Sequence, residues 1–134
     1  MSRSLVRVTK LVKVDGHAHQ LLHLSEASST RKIEVLIGAT ALEAIRCALL
    51  KDKSTRPLTS DLCTELVKKF GGEVHETEIV DFDNGTYFAE LRLSDSSGAP
   101  LTLDCRPSDA ISICLQLNAP IYVSENVWNK LLSN

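Results

Sequence analysis

The chain has 134 residues, 43% of them hydrophobic, and a formal net charge of −2, which predicts one folded domain over residues 1–134 and excludes a disordered chain. No apolar run approaches the ~18 residues that a membrane span needs, so we expect no membrane partner. The missing basic excess argues against tight binding to duplex DNA through phosphates alone.

Hydrophobic periodicity predicts strands first and helices next. Alternating apolar and polar residues indicate strands in SLVRVTKLVKV, HAHQLLHL and IEVLI. Helical spacing follows in ALEAIRCALL, where we expect Thr40 and Glu43 to form a capping box. It returns in SDLCTELVKKF, a helix that Gly71 is expected to end.

The second half of the chain predicts a meander and two further helices. EVHETEIVDF and TYFAELRLS flank the turn Asp83-Asn84-Gly85, and LTLDC follows as a third strand. A helix from Pro107 to about Leu117, a short strand IYV and a terminal helix ENVWNKLL complete the chain. The order, roughly βββααβββαβα, indicates an α+β fold with a largely antiparallel sheet.

The four cysteines are Cys47, Cys63, Cys105 and Cys114, and none belongs to a C-x-x-C pair. Their spacing is typical of neither a zinc site nor a redox motif. Each lies in an apolar stretch, so we expect buried free thiols in a reducing, cytoplasmic environment.

The segment LDCRPSDAISICLQLNAPIYV opens with four polar side chains and continues as an apolar run. Helix capping explains part of this start, since Pro107 suits a first turn and Ser108 and Asp109 suit its unpaired N–H groups and positive dipole. Asp104 and Arg106 share one side of their strand by period-2 geometry. An ion pair between them, or with Arg92 on the neighbouring strand, would account for both.

A functional interpretation of the same start is a metal and phosphate site. Carboxylates near a helix start can hold a divalent ion, because Mg²⁺ is typically bound by one or two carboxylates plus substrate phosphates. Arg106 is suited to bind a phosphate with two parallel hydrogen bonds. The three histidines of GHAHQLLH, His17, His19 and His23, share one strand face, and we expect them to face solvent rather than a metal.

Three motifs resemble the bifunctional nuclease domain family. They are RPLTSDL at 56–62, DFDNGTYFAEL at 81–91 and LDCRPSDAISICLQLNAPIYVSENV at 103–127, and IEVLIGATALEAI at 33–45 fits the family's strand–glycine–helix pattern. The resemblance covers about residues 5–127. It implies an α+β domain, often oligomeric, in a family whose members are described as nucleases acting on DNA and RNA. Family members commonly have His where this chain has Ser60, whereas Asp61 of that motif is present.

The leading hypothesis is a nuclease that hydrolyses phosphodiester bonds in DNA or RNA with Mg²⁺ or Mn²⁺. Asp109 and Asp104 would carry the metal, joined in catalysis by Asp61, and Arg106 would stabilise phosphate charge. Candidate substrate contacts are Ser108, Arg56 and Arg92.

The alternative is a non-catalytic ligand-binding, regulatory or oligomerisation module. The acidic net charge, the 4% aromatic content and Ser60 favour it. A buried Arg106–Asp109 ion pair with no open pocket, holding the strand–helix corner together, would favour this alternative, whereas an ordered metal at Asp104 and Asp109 would favour the nuclease. Under both hypotheses, strand edges that a partner chain can cover predict a homo-oligomer, either a dimer or a trimer.

Overall fold

The computed structural model describes residues 2–16, 18–52 and 55–133, and within them the chain forms seven strands and four helices. The elements are β1 (Arg3–Val12), β2 (His19–Glu26), β3 (Lys32–Gly38), α1 (Ala39–Leu50), α2 (Thr59–Lys69), β4 (Glu73–Asp83), β5 (Thr86–Ser94), β6 (Pro100–Cys105), α3 (Pro107–Leu117), β7 (Ile121–Ser124) and α4 (Glu125–Leu132). The predicted α+β class is confirmed, and the element order follows the predicted pattern.

All seven strands form one sheet in the order β3-β2-β1-β7-β4-β5-β6. The last strand of the chain, β7, therefore lies in the middle, antiparallel to β1 and parallel to β4. The other four neighbouring pairs are antiparallel, as predicted. Since β6 and β7 run in the same direction, α3 crosses the sheet between them and its start is fixed at the β6 edge.

The helices pack on one face of the sheet and leave the other face open. Side chains on the helix side, such as Leu24, Ile79 and Val123, are completely buried with Ile111 of α3 in one core. Alternate residues face outward, and Leu36 on the edge strand β3 is 66% exposed. This two-layer arrangement places outward-facing strand residues, including Asp104, on the open face.

Local sequence signals correctly predict one helix end and one turn, but they fail to predict one helix start. Gly71 ends α2 with a positive φ of 79°, and Asn84 and Gly85 turn β4 into β5 with φ values of 51° and 81°. The predicted Thr40–Glu43 capping box is wrong. Strand β3 runs directly into α1, Gly38 is its N-cap without a side-chain hydrogen bond, and Thr40 already lies inside the helix.

In the described ranges, no helix is long and apolar enough to cross a membrane. His19 and His23 lie on β2, whereas His17 falls outside the described residues.

Candidate functional site

Arg106 and Asp109 form an ion pair at the corner between β6 and α3. Arg106 is the N-cap of α3 with extended backbone, and Pro107 occupies the first turn as predicted. The Arg106 side chain turns along the helix start, so its Nε and Nη2 donate to the two Asp109 carboxylate oxygens over 2.9 and 3.3 Å. The guanidinium therefore holds both oxygens of Asp109.

This ion pair is exposed, so it is not the buried pair that would favour a non-catalytic module. The side chains of Arg106 and Asp109 are 80% and 50% exposed, and the hydrogen bonds to Asp109 raise the pKa of Arg106. Backbone bonds hold the corner instead, because the N–H groups of Asp109 and Ala110 donate to the Arg106 carbonyl over 3.1 and 3.2 Å. Arg106 Nη1 makes no hydrogen bond with the described residues and points its donors to solvent.

Asp104 lies on the open face of the sheet, directly opposite Glu90 of β5. It pairs with neither Arg106 nor Arg92, and its carboxylate accepts no hydrogen bond from the part of the chain that the structure describes. Burial raises the pKa of the Cys105 thiol to about 11, and the negative charges of Asp104 and Asp109 add to that increase. Both carboxylates therefore lie near the Cys105 side chain.

Arg92 binds three carboxylates on the open face. Its Nη1 donates to Glu76 over 2.9 Å and to Glu78 over 2.7 Å, and its Nη2 donates to Glu90 over 2.9 Å. These bonds, to Glu78 above all, raise the pKa of Arg92. Because Arg92 is shared among three carboxylates, it only partly offsets the repulsion between Glu90 and Asp104, which lie directly opposite each other. Three of the five guanidinium N–H groups of Arg92 are thus engaged within the fold.

Asp61 lies at the far end of α3 from the corner. Its Oδ2 accepts the Leu58 backbone N–H over 2.8 Å, which caps α2, and its Oδ1 accepts Gln116 Nε2 over the same distance. Gln116 also donates to Ser60 Oγ over 3.0 Å. Since Gln116 follows Asp109 by seven residues, the helical rise separates them by about 10 Å. The structure therefore does not bring Asp61 to Asp104, Arg106 and Asp109.

The other two predicted substrate contacts, Ser108 and Arg56, lie apart from each other. Ser108 is only 8% exposed, in the first turn of α3, and its carbonyl accepts the Ser112 hydroxyl over 2.9 Å. Arg56 is exposed in the α1–α2 connection, between Thr55 and Pro57, which line a cavity of about 580 Å³. That cavity also borders Asp61 and is separate from the corner.

Two residues of these clusters were missed by sequence reasoning. Gln116 is a polar residue within the apolar second half of α3, and this break in the pattern could have identified it as a candidate. Glu90 shares the outward face of β5 with Arg92, and a correct β5–β6 register would have placed it opposite Asp104.

The carboxylates at the corner can bind a metal ion only if a substrate supplies further ligands. No group of three or more His, Cys, Asp or Glu side chains suited to a metal occurs within residues 2–16, 18–52 and 55–133. Both oxygens of Asp109 already accept from Arg106, whereas those of Asp104 remain open. One carboxylate plus substrate phosphates and water is an arrangement that Mg²⁺ accepts.

Comparisons with known proteins identify relatives across most of the chain. A family model described as "Bifunctional nuclease domain" matches residues 22–133. An uncharacterized protein of Mycobacterium tuberculosis is 33% identical over 122 residues, which cover 91% of this chain and 72% of that protein. Bifunctional nuclease 1 of Arabidopsis thaliana is 32% identical over 83 residues, or 60% of this chain and 26% of its own length. Bifunctional nuclease 1 of Oryza sativa subsp. japonica is 24% identical over 123 residues, or 90% of this chain.

This chain spans only 26% and 37% of those two plant proteins, so their names describe much longer molecules. The family model, in contrast, covers the chain from Leu22 within β2 to the end of α4 and includes every predicted site residue. The chain therefore belongs to the bifunctional nuclease domain family.

Proposed function

We propose that this chain hydrolyses phosphodiester bonds in DNA or RNA at the corner between β6 and α3. The observation that supports this proposal is the exposed Arg106, whose Nη1 is open while Asp109 fixes the rest of its guanidinium. Asp104, with an open carboxylate, lies two residues before it. Four free cysteines fit the reducing cytoplasm that we propose as the compartment.

In the proposed reaction, water attacks phosphorus and the bond from phosphorus to the leaving oxygen breaks. Arg106 Nη1 donates to a non-bridging oxygen, where negative charge develops. Asp104 accepts a hydrogen bond from the attacking water and takes its proton, and the leaving oxygen is protonated by solvent. Mg²⁺ or Mn²⁺ held by Asp104 and a substrate phosphate would further polarise the phosphoryl group.

The deciding experiment is a cleavage assay on single- and double-stranded DNA and RNA, with Mg²⁺, with Mn²⁺ and with chelator. We expect Arg106→Ala and Asp104→Asn each to lower the cleavage rate by about 10²-fold or more, as is typical for loss of a charge-stabilising donor and of a general base. Asp109→Asn is expected to lower it less, because Asp109 orients Arg106 and does not contact the substrate.

Arg46→Ala is the matched control. Arg46 and Glu43 form a similar exposed pair three residues apart on α1, with an Nη2–Oε1 distance of 2.7 Å. The control should cleave at the wild-type rate. Equal cleavage by wild type, Arg106→Ala and Asp104→Asn would reject the corner as the site, and no cleavage of any substrate by folded wild type would reject the activity.

A second candidate, the non-catalytic module, is favoured by the surroundings of Asp61. Both of its oxygens are engaged within the fold, and Ser60, which replaces the family's common His, accepts from the same Gln116 amide. If the folded chain lacks activity, a ligand-binding role is the next to test, and the cavity beside α2 is where to test ligands.

A further inference from the structure

The edge strand β6 leaves apolar side chains uncovered on the helix side of the sheet. Leu91 and Leu93 of β5 are 6% and 7% exposed, but their partners on β6, Leu103 and Leu101, are 52% and 45% exposed. No described strand lies beyond β6. The row of apolar side chains that is buried on β5 therefore continues onto β6, where it is exposed to solvent.

Helix α2 presents a second uncovered apolar strip. Leu62, Leu66 and Phe70 follow one another at four-residue spacing and are 55%, 49% and 79% exposed. The chain leaves α2 through Gly71 and Gly72, which pack against Ser96 and Ser94 at the β5–β6 turn. The strip on α2 thus ends at the corner of the sheet where β6 begins.

The combined area of the two strips is close to what a homodimer interface requires. A fully exposed large apolar side chain presents on the order of 150–200 Å², so these five present about 450 Å² together. A standard interface buries about 800 Å² per partner, and in homodimers about 65% of it is apolar, or about 520 Å².

The backbone of β6 offers unpaired groups in a self-complementary pattern. The Asp95 N–H donates to the Ala99 carbonyl over 3.0 Å, which fixes the alternation of the β5–β6 ladder. By that alternation Leu101 and Leu103 bond to β5, whereas Pro100, Thr102 and Asp104 direct their backbone groups outward. Pro100 has no N–H to offer.

We infer that a second copy of this chain docks on β6 in antiparallel orientation, with a twofold axis at Thr102. The two Thr102 residues exchange both backbone hydrogen bonds, and the Asp104 N–H of each copy donates to the Pro100 carbonyl of the other. Leu101 then faces Leu103 of the second copy on the helix side, which brings the exposed β6 leucines of both copies into one apolar layer. The contact is isologous and closes at two copies.

Charge disfavours the registers in which the twofold axis lies nearer to Asp104. With the axis at Thr102, each Asp104 lies opposite Pro100, and the two Asp104 carboxylates are separated along the strands by four residues, or about 13 Å. Moving the register by two residues in this direction brings these carboxylates closer, and moving it by four places them directly opposite each other, where like charges destabilise a sheet. Moving it by two residues in the other direction places Asp104 opposite Gly98, which lies outside β6.

Sedimentation velocity over a range of concentrations tests the inference with the whole chain. Wild type should sediment at twice the monomer mass of 14.7 kDa. Thr102→Pro removes an outward N–H and no hydrogen bond to β5, and Leu103→Lys places a charge in the apolar strip, so each should raise the dimer dissociation constant at least tenfold. Leu36→Lys, on the opposite edge strand at 66% exposure, is the matched control and should leave it unchanged.

A cross-linking variant tests the register itself. Cα atoms of a hydrogen-bonded antiparallel pair lie about 5.5 Å apart, within the range that a disulfide spans. Oxidised Thr102→Cys should therefore give a covalent dimer, whereas Glu34→Cys on β3 should not. A monomeric wild type, a trimer, or a dimer unaffected by both Thr102→Pro and Leu103→Lys would overturn the inference. The nuclease proposal does not depend on this outcome.

Discussion

Arg106 and Arg31 both bind carboxylates, but the two ion pairs have different surroundings. The Arg106 side chain is 80% exposed, whereas Arg31 is 33% exposed and binds Glu26, whose side chain is 6% exposed. Exposed pairs contribute little because water screens them and both side chains lose conformational freedom. The open position of Arg106 suits a group that binds something from solvent better than one that holds the fold.

We therefore expect Arg106 and Asp109 to contribute little to stability. Arg106→Gln and Asp109→Asn, alone and together, should each change the free energy of unfolding by less than about 1 kcal/mol. Urea unfolding of the four proteins gives the coupling energy from the double-mutant cycle. A coupling above about 2 kcal/mol would show that the pair is structural and would weaken the proposed phosphate role.

Asp61 is the opposite case, a predicted catalytic residue with structural contacts. Asp61→Ala removes the cap of α2 and the link to Gln116, so we expect it to cost about 1–2 kcal/mol of unfolding free energy. Asp61→Asn keeps one acceptor oxygen and should cost about half as much. Cleavage measured beside urea unfolding separates the roles. An Asp61→Asn protein as stable as wild type but inactive would place Asp61 in the chemistry.

These residues also show which parts of the site are predictable from sequence. The first turn of α3 at Pro107 and Ser108, and the turn at Asn84, depend on neighbours a few positions away, so local rules predict them. The Gln116–Asp61 contact joins residues 55 positions apart. It depends on how α2 packs against α3, and no local pattern encodes that arrangement.

At the element scale, Arg31 ties the β2–β3 turn to α4. Its guanidinium donates to Glu26 over 2.6 and 3.1 Å and to Glu125 over 2.8 and 3.0 Å. It also lies 4.5 Å from the ring centre of Trp128, whose Nε1 donates to Ser4 of β1 over 2.8 Å. One turn, one strand and the last helix therefore meet at a single cation.

This cluster predicts a specific pH dependence. The hydrogen bonds from Arg31 lower the pKa of Glu26 from 4.5 to about 2. The unfolded chain therefore binds the proton more readily, and the stabilisation, complete above about pH 4.5, is lost as the pH falls toward about 2. Glu26→Gln should lower the melting temperature at pH 7. Between about pH 4.5 and about pH 2, the melting temperature of this variant should fall less steeply than that of wild type.

Glu34→Gln is the control for this measurement, because Glu34 is exposed on β3 and forms no ion pair with the described residues. Its melting temperature should follow the wild-type pH profile. If Glu26→Gln and wild type declined in parallel between pH 4.5 and pH 2, the Glu26–Arg31 bond would not be a source of the acid sensitivity.

At the scale of the whole molecule, β7 joins two antiparallel halves of the sheet. One half is β1 to β3 and the other is β4 to β6, and β7 lies between β1 and β4. The sequence predicts β7 as a strand, but its position in the centre follows from the α3 crossover and from pairing with two distant strands. Neither half can complete its ladder until nearly the whole chain is present.

This position predicts that the chain unfolds as one unit. Ile121 of β7 is 4% exposed, so Ile121→Ala should cost about 2–5 kcal/mol and shift both halves together. Fluorescence of Trp128, the only tryptophan, and far-UV circular dichroism should give coincident transitions in wild type and variant. Leu36→Ala, at an exposed edge position, should leave both nearly unchanged. Two separated transitions would contradict the single domain, because they would mean that one half keeps its structure without the central strand.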